Sequence, residues 1–199
     1  MHKKIYKSLR NKKVIIKGYT AYEWLNDPKH LLFSLSRYKF VSEMLEGKKD
    51  VLEVGCGDWF KSEIVRKRVK NLYLNDLVGK KFLKNDFSKS YIKNKKFDAI
   101  YLLDVFEHMN KRITDKFIKN LKLNLKQNGI IIVGIPTLAS QRYASKLSKE
   151  THVNCLNKKE LKYFFSKHFN NVFTFSMNDE VLHTGYDKMF HYIFALCTN

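Results

Sequence analysis

A chain of 199 residues, 44% hydrophobic and 29% charged, has the length and balance of one soluble domain with a substantial core. Its 38 Lys and Arg against 19 Asp and Glu give a net charge of +19, which admits an anionic partner, but the lysines are spread along the whole chain without an arginine-rich arm, and compositional bias is the simpler account. Cys56, Cys155 and Cys197 are too widely spaced for a disulfide framework or a Cys-x-x-Cys metal site, which favours a reducing cytoplasm, and no apolar run reaches the roughly 20 residues of a membrane span.

Residues 1–26 read as a basic, Tyr- and Trp-bearing lead, irregular or short-helical; no apolar stretch follows the basic start, so a signal peptide is not expected. Asp27-Pro28 supplies an N-cap and first helical residue, and Leu31, Leu35, Tyr38, Val41 and Leu45 follow at helical spacing until Gly47. This front helix is placed to cover a site. Strands and helices then alternate. Strands are predicted at 50–54, 71–75, 81–84, 97–103 and 129–135, with a helix over 60–69 and a long one marked by Ile113, Phe117, Leu121 and Leu125 and stopped at Asn128-Gly129. Asn157 and Glu160 form a capping-box start for a helix carrying Leu161, Phe164 and Phe165. Strand-like runs at 171–177 and 190–197 close the chain, and no second domain is visible. Alternation with buried strands predicts an α/β, doubly wound sheet.

The most informative segment is Glu53-Val54-Gly55-Cys56-Gly57-Asp58, directly after Val51-Leu52. An apolar strand that breaks into Gly-x-Gly and opens a helix lets a nucleoside lie against bare backbone. Asp76 follows one β-α unit later, where a ribose diol is read. Asp104 closes another apolar strand, where a lone carboxylate is costly unless it sits at a cleft. Together these indicate a nucleoside-cofactor enzyme.

At these residues the chain resembles a class I S-adenosylmethionine (SAM)-dependent methyltransferase of the small-molecule branch. Val-Leu-Glu-Val-Gly-Cys-Gly at 51–57 is similar to the family's first motif, and Leu103-Asp104-Val-Phe-Glu107-His108-Met to its segment after the fourth strand. The resemblance implies a Rossmann-like, mostly parallel seven-stranded sheet of order 3-2-1-4-5-7-6 with helices on both faces. It implies a single domain over 1–199, with a lead and covering helix over 1–46 and the core over 47–199. It also implies SAM as cofactor and S-adenosyl-L-homocysteine as product. Gly55, Cys56 and Gly57 would line the methionine part, and Glu53 would orient that loop or the cofactor's ammonium. Asp76 would accept the ribose hydroxyls, Asp86 and the Phe87 amide would read adenine, and Asp104 would face the cofactor or the acceptor.

Methyl transfer to oxygen needs a base near the working pH, for which His108 is the first candidate and His152 the second. His183 with Asp179-Glu180 is a further candidate for the acceptor pocket, and Tyr19, Tyr22 and Trp24 for closure over it. No metal site is expected, because Glu107 and His108 lack evident partner carboxylates. The tail, including Pro136 to Ser145, His152 to Cys155 and Phe175 to Glu180, resembles a narrower bacterial group tied to surface-polysaccharide gene clusters. That resemblance implies a sugar or phosphate-bearing acceptor in capsule or lipopolysaccharide assembly. The basic charge suits an anionic acceptor, and a homodimer is compatible with the sequence.

Two departures stand out. Trp59 replaces a third glycine common in relatives, and the short interval between Asp76 and Asp86 leaves little room for the usual helix, so the adenine side is expected to be open. These departures keep a non-catalytic scaffold as an alternative. An RNA methyltransferase is another, favoured by the charge but lacking an RNA-binding module. A nicotinamide dehydrogenase is disfavoured by Phe60 at the sixth fingerprint position.

Overall fold

The computed structural model describes residues 13–78, 82–185 and 189–199. The basic start of the lead, residues 1–12, and Lys81 of the predicted third strand lie outside the described residues. In chain order the elements are α1 (Gly18–Asn26), α2 (Pro28–Met44), β1 (Asp50–Val54), α3 (Ser62–Arg66), β2 (Asn71–Asn75), β3 (Phe97–Leu103), α4 (Lys111–Leu123), β4 (Leu125–Pro136), α5 (Lys146–Thr151), α6 (Lys158–Ser166), β5 (Asn171–Asn178), β6 (Val181–His183) and β7 (Tyr192–Thr198).

The seven strands form one sheet in the order β2-β1-β3-β4-β7-β5-β6. Pairings among β2, β1, β3 and β4 are parallel, and those of β7 with β4 and β5 and of β6 with β5 are antiparallel. Five strands therefore point one way, with β7 and β6 against them, which is the Rossmann-like arrangement expected. The seventh strand differs in origin. The predicted strand at 81–84 is reduced to a single parallel bridge between Asn75 and Leu83, and the sheet gains the edge hairpin β5–β6 instead.

Strand alternation sorts the core into two layers. Leu52, Ile100, Leu102, Ile131, Val133 and Ile193 face one side, against Phe117, Ile118 and Leu121 of α4 and Leu161 and Phe165 of α6. Val51, Ala99, Tyr101, Ile132, Tyr192 and Phe194 face the other, against Tyr38, Phe40 and Val41 of α2 and Leu45 at its C-cap. Helices thus cover both faces. Asp27 caps α2 by accepting from His30 N at 3.1 Å, and Asn157 with Glu160 forms the expected capping box on α6.

Two boundaries differ from expectation. The helix over 60–69 is only Ser62–Arg66, and α4 stops at Leu123 because Leu125 already pairs with Phe97 in the sheet. Asn124, fully buried at this junction, explains the stop: its side chain accepts from Ile92 N at 2.8 Å and donates to Ile92 O at 2.7 Å and Lys95 O at 2.6 Å. No described helix is long and apolar enough to cross a membrane.

Asn124→Ala leaves three backbone groups ahead of β3 without partners, so urea unfolding is expected to show a loss of about 2–4 kcal/mol. A loss below about 0.5 kcal/mol would show that water replaces these bonds freely.

Candidate functional site

A cavity of about 380 Å³ lies at the carboxyl ends of β1, β3 and β4, where an open α/β sheet binds its ligand. One wall is the turn Gly55-Cys56-Gly57-Asp58 with Tyr19, Thr20 and Glu23 of α1 and Ser34 and Arg37 of α2. The facing wall holds Asp104, Glu107 and His108 after β3, and Thr151 and His152 at the end of α5.

The glycine turn is shaped by two different constraints. Gly55 has φ +79°, and a Cβ there would meet Val105 Cγ2 at 2.3 Å. Gly57 has φ +54° and open space where a Cβ would stand, so its bare backbone faces the cavity. Asp58 ties α1 across the turn, accepting from Thr20 N at 2.7 Å and Thr20 Oγ1 at 2.9 Å. Burial pushes the Cys56 thiol up to about 12, aided by Glu53 and Asp76, so Cys56 is a neutral lining group and not a nucleophile. Trp59 adopts φ +60°, the left-handed geometry that a glycine there would take without strain. Its indole is half exposed and is not part of the cavity lining.

Glu53 is buried beneath the turn and does not line the cavity. Its carboxylate accepts from Tyr38 OH at 2.8 Å and Tyr101 OH at 2.7 Å. Burial holds its pKa above the usual carboxylate value, against the opposing pull of hydrogen bonds such as those from the two phenols. It therefore ties α2 to β3 beneath the turn.

Asp104 ends β3 with φ +55° and pairs with the buried Arg37 at 2.8 Å; that guanidinium also lies 4.0 Å from the centre of the Tyr192 ring. On α1, Glu23 pairs with Lys61 at 2.6 Å and His30 at 2.7 Å. Arg37, Glu23 and Lys61 are cavity residues that the sequence reading missed. The available signal was a charged residue, Arg37, on the buried stripe of an otherwise apolar helix face.

The two candidate bases come together. The rings of His108 and His152 stand 4.8 Å apart, centre to centre, in an edge arrangement. His108 Nδ1 faces Thr151 O at 3.1 Å, and His152 Nδ1 faces Gln141 Oε1 at 2.9 Å. Burial and the adjacent His108 hold the His152 pKa below its ordinary value. Glu107 lies beside them, fully buried, with both carboxylate oxygens unpartnered. Burial and the charge of Asp104 push its pKa well above the carboxylate range.

The remaining candidates sit outside this cavity. Asp76 lies behind the turn, accepting from Gly57 N and Val78 N at 2.8 and 2.9 Å. Asp86 is engaged locally by Ser88 and Lys89, and the Phe87 ring is buried against Phe117, so neither side chain faces the cavity. Asp179, Glu180 and His183 belong to the edge hairpin and also miss it, as do Tyr22 and Trp24, both mostly exposed. Among the described residues no helix lies between β2 and Asp86, as the short interval required.

Residues 21–173, well over half of the chain, match the sequence profile of a family described as a methyltransferase domain. The chain belongs to this methyltransferase family. No curated protein matches its sequence significantly. Solved structures share the fold at low identity. The N-methyltransferase NodS from Bradyrhizobium japonicum, in complex with S-adenosyl-L-homocysteine, is 16% identical with a TM-score of 0.63, over 98% of this chain and 97% of that one. The plantazolicin methyltransferase BpumL in complex with the same product is 14% identical with a TM-score of 0.62, over 99% and 98%. The methyltransferase domain of bacterial-CtHen1-C is 14% identical with a TM-score of 0.66, over 83% and 98%.

The protein is thus a SAM-dependent methyltransferase of class I architecture. Its own residues fit that cofactor. The Gly57 backbone opens onto a cavity at the switch point of the sheet, and Trp59 leaves that hollow clear.

The two glycines should separate by experiment. Gly55→Ala meets both positive φ and the Val105 methyl, and is expected to cost about 2–4 kcal/mol in urea unfolding. Gly57→Ala has room and is expected to cost only about 1 kcal/mol. Equal losses would contradict the geometry.

Proposed function

We propose that the methyltransferase transfers a methyl group to a hydroxyl oxygen of a small polyhydroxylated acceptor. The carrying observation is the convergence of His108, His152 and Glu107 on the cavity wall opposite the glycine turn. An oxygen acceptor must lose a proton as it is methylated, and an imidazole is suited to that near neutral pH. A carbonyl or amide oxygen on each Nδ1 fixes it as the protonated nitrogen and leaves Nε2 free to accept.

In this reading Gly57 and the peptide groups of Gly55 and Cys56 receive the methionine part of SAM, and Asp76 takes the ribose diol at the back of the turn. Asp86 and the Phe87 amide approach the adenine on the open side. Asp104, fixed by Arg37, faces the join between cofactor and acceptor. When bound, SAM supplies a sulfonium-activated methyl group, so the protein's task is alignment and proton removal.

A sugar carried in bacterial surface-glycan assembly has the required hydroxyls. The cavity itself is not strongly basic: Glu23, Asp58, Asp104 and Glu107 stand against Lys61 and Arg37, both of which are in ion pairs. This composition favours neutral hydroxyls at the reacting end, with any phosphate of the acceptor held outside on the basic surface. The net charge of +19 also supports a second reading, RNA as acceptor. Steep loss of tRNA binding with rising salt would favour it.

Mass spectrometry of turnover against nucleotide sugars, glycan fragments and tRNA tests the acceptor. A gain of one methylene on a sugar fits the proposal; methylation confined to tRNA would overturn it. Asp76→Ala is expected to weaken SAM binding by calorimetry about 10- to 100-fold, since a hydrogen bond to a charged acceptor contributes about 1.5–3 kcal/mol. Unchanged affinity would remove Asp76 from the ribose. His108→Ala should lower turnover and spare SAM affinity; full activity would shift proton removal elsewhere.

A further inference from the structure

We propose that a second hollow beside His152 holds the phosphate of a phosphorylated acceptor between Lys111 and Lys149, an inference that rests on the methyl-transfer reading above. The hollow measures about 310 Å³ and is framed by Lys111 at the start of α4, Leu138 after β4, and Lys149 and His152 at the end of α5. His152 lines both this space and the reaction cavity. Its Nδ1 meets Gln141 Oε1 at 2.9 Å, and Gln141 lines the second space alone. The two spaces therefore adjoin across this imidazole.

Their charges differ in kind. In the reaction cavity Lys61 and Arg37 are both neutralised by carboxylates. Among the described residues Lys111 and Lys149 join no ion pair. Lys149 Nζ donates to Arg142 O at 3.2 Å, which steadies the ammonium and leaves two of its N–H groups for another acceptor. The acid in this hollow, Glu160, is engaged by Asn157 N at 2.8 Å in the capping box of α6. The sequence around Lys111 adds to the imbalance. α4 opens with Lys111-Arg112 and has no acid in its first turn, so two cations stand at the positive end of a 13-residue helix. That placement opposes the helix dipole, and an anion held by Lys111 removes the conflict.

Leu138 and Val153, each more than half exposed, present apolar surface beside the lysines, where the carbon skeleton next to a phosphate can lie. Two lysines in one hollow suit a single phosphate or diphosphate, whereas an RNA strand needs a basic track that follows several phosphates. An acceptor with a hydroxyl at one end and a phosphate at the other is thus seated astride His152. Its hydroxyl enters the acid-lined cavity and its phosphate enters the lysine-lined one.

The test uses the full chain loaded with S-adenosyl-L-homocysteine. Calorimetry with uridine diphosphate and with glucose 1-phosphate, against uridine and glucose as controls, should show one saturable site for the phosphate-bearing probes and none for the controls. Tighter binding of uridine diphosphate assigns the site to a diphosphate, and tighter binding of glucose 1-phosphate assigns it to a monoester. Lys111→Gln and Lys149→Gln should each weaken the better probe about threefold, and together about tenfold, the scale of solvent-facing charge pairs, with SAM affinity unchanged. The imidazole signals of His152 in nuclear magnetic resonance should move along the same saturation curve, a response that anions scattered over a basic surface would not give. No saturable binding, binding unchanged in the double variant, or a bound probe that leaves the His152 signals in place would overturn the proposal. Binding of tRNA but of neither probe would overturn it in favour of RNA. Methylation of sugars and their phosphates at equal KM would also overturn it, while leaving the methyl-transfer reading standing. Phosphate binding at these lysines in a chain that methylates no hydroxyl would sink that reading instead.

Discussion

The buried carboxylate of Glu53 is the fixed point of this molecule. It receives one phenol from α2 and one from β3, and so locks the front helix to the centre of the sheet. Burying a carboxylate is expensive, and burial holds its pKa above the usual carboxylate value despite the hydrogen bonds it accepts. Removing it alone would strand two buried phenols, each left without its acceptor. What the acid provides is registration: Tyr38 held at Glu53 sets Arg37, the preceding residue on α2, against Asp104 and over Tyr192. That ion pair keeps Asp104 in its strained backbone conformation at the cavity floor.

The cavity walls differ in how they are held. The glycine turn is fixed by backbone: Gly55 N and Cys56 N both reach Asn75 O, and Gly57 N reaches Asp76. The opposite wall depends on side chains from α5 and the turn after β3, joined chiefly through Thr151, Gln141 and Asn154. A wall of rigid peptide suits a cofactor shared across a family. A wall of side chains on short helices can be altered without disturbing the sheet, as acceptor choice requires.

Much of this was legible in the sequence because it depends on short-range pattern. The Gly-x-Gly turn, the buried strands, the α2 cap and the capping box on α6 each declare themselves within a few residues. Leu125 was misread because apolar periodicity alone cannot tell the last turn of a helix from the first residue of a strand; Asn124, whose side chain decides the matter, looks like any polar residue. The third family strand failed because one bridge at Leu83 is all that the short link can form. Glu53 is read from sequence as orienting the loop or the cofactor's ammonium; its two phenol partners come from distant elements, which sequence spacing does not reveal. The pairing of His108 with His152 needed the fold outright, because the two residues lie on different elements far apart in the chain.

The distribution of charge bears on what the site can hold. The chain carries a large cationic excess, yet the cavity contains four carboxylates and only two Lys or Arg side chains, each neutralised by a partner. Surface lysines can steer an anionic molecule toward the protein over about a Debye length, but they do not define what is bound at the reacting atom. Steering and selection are therefore carried by different residues. A cavity lined by four carboxylates and three imidazoles disfavours a bare phosphate at its centre and offers acceptors to hydrogen-bond donors, which the hydroxylated acceptor proposed above would supply. Surface charge and cavity chemistry agree if the acceptor is hydroxylated where it reacts and anionic, if at all, at its far end.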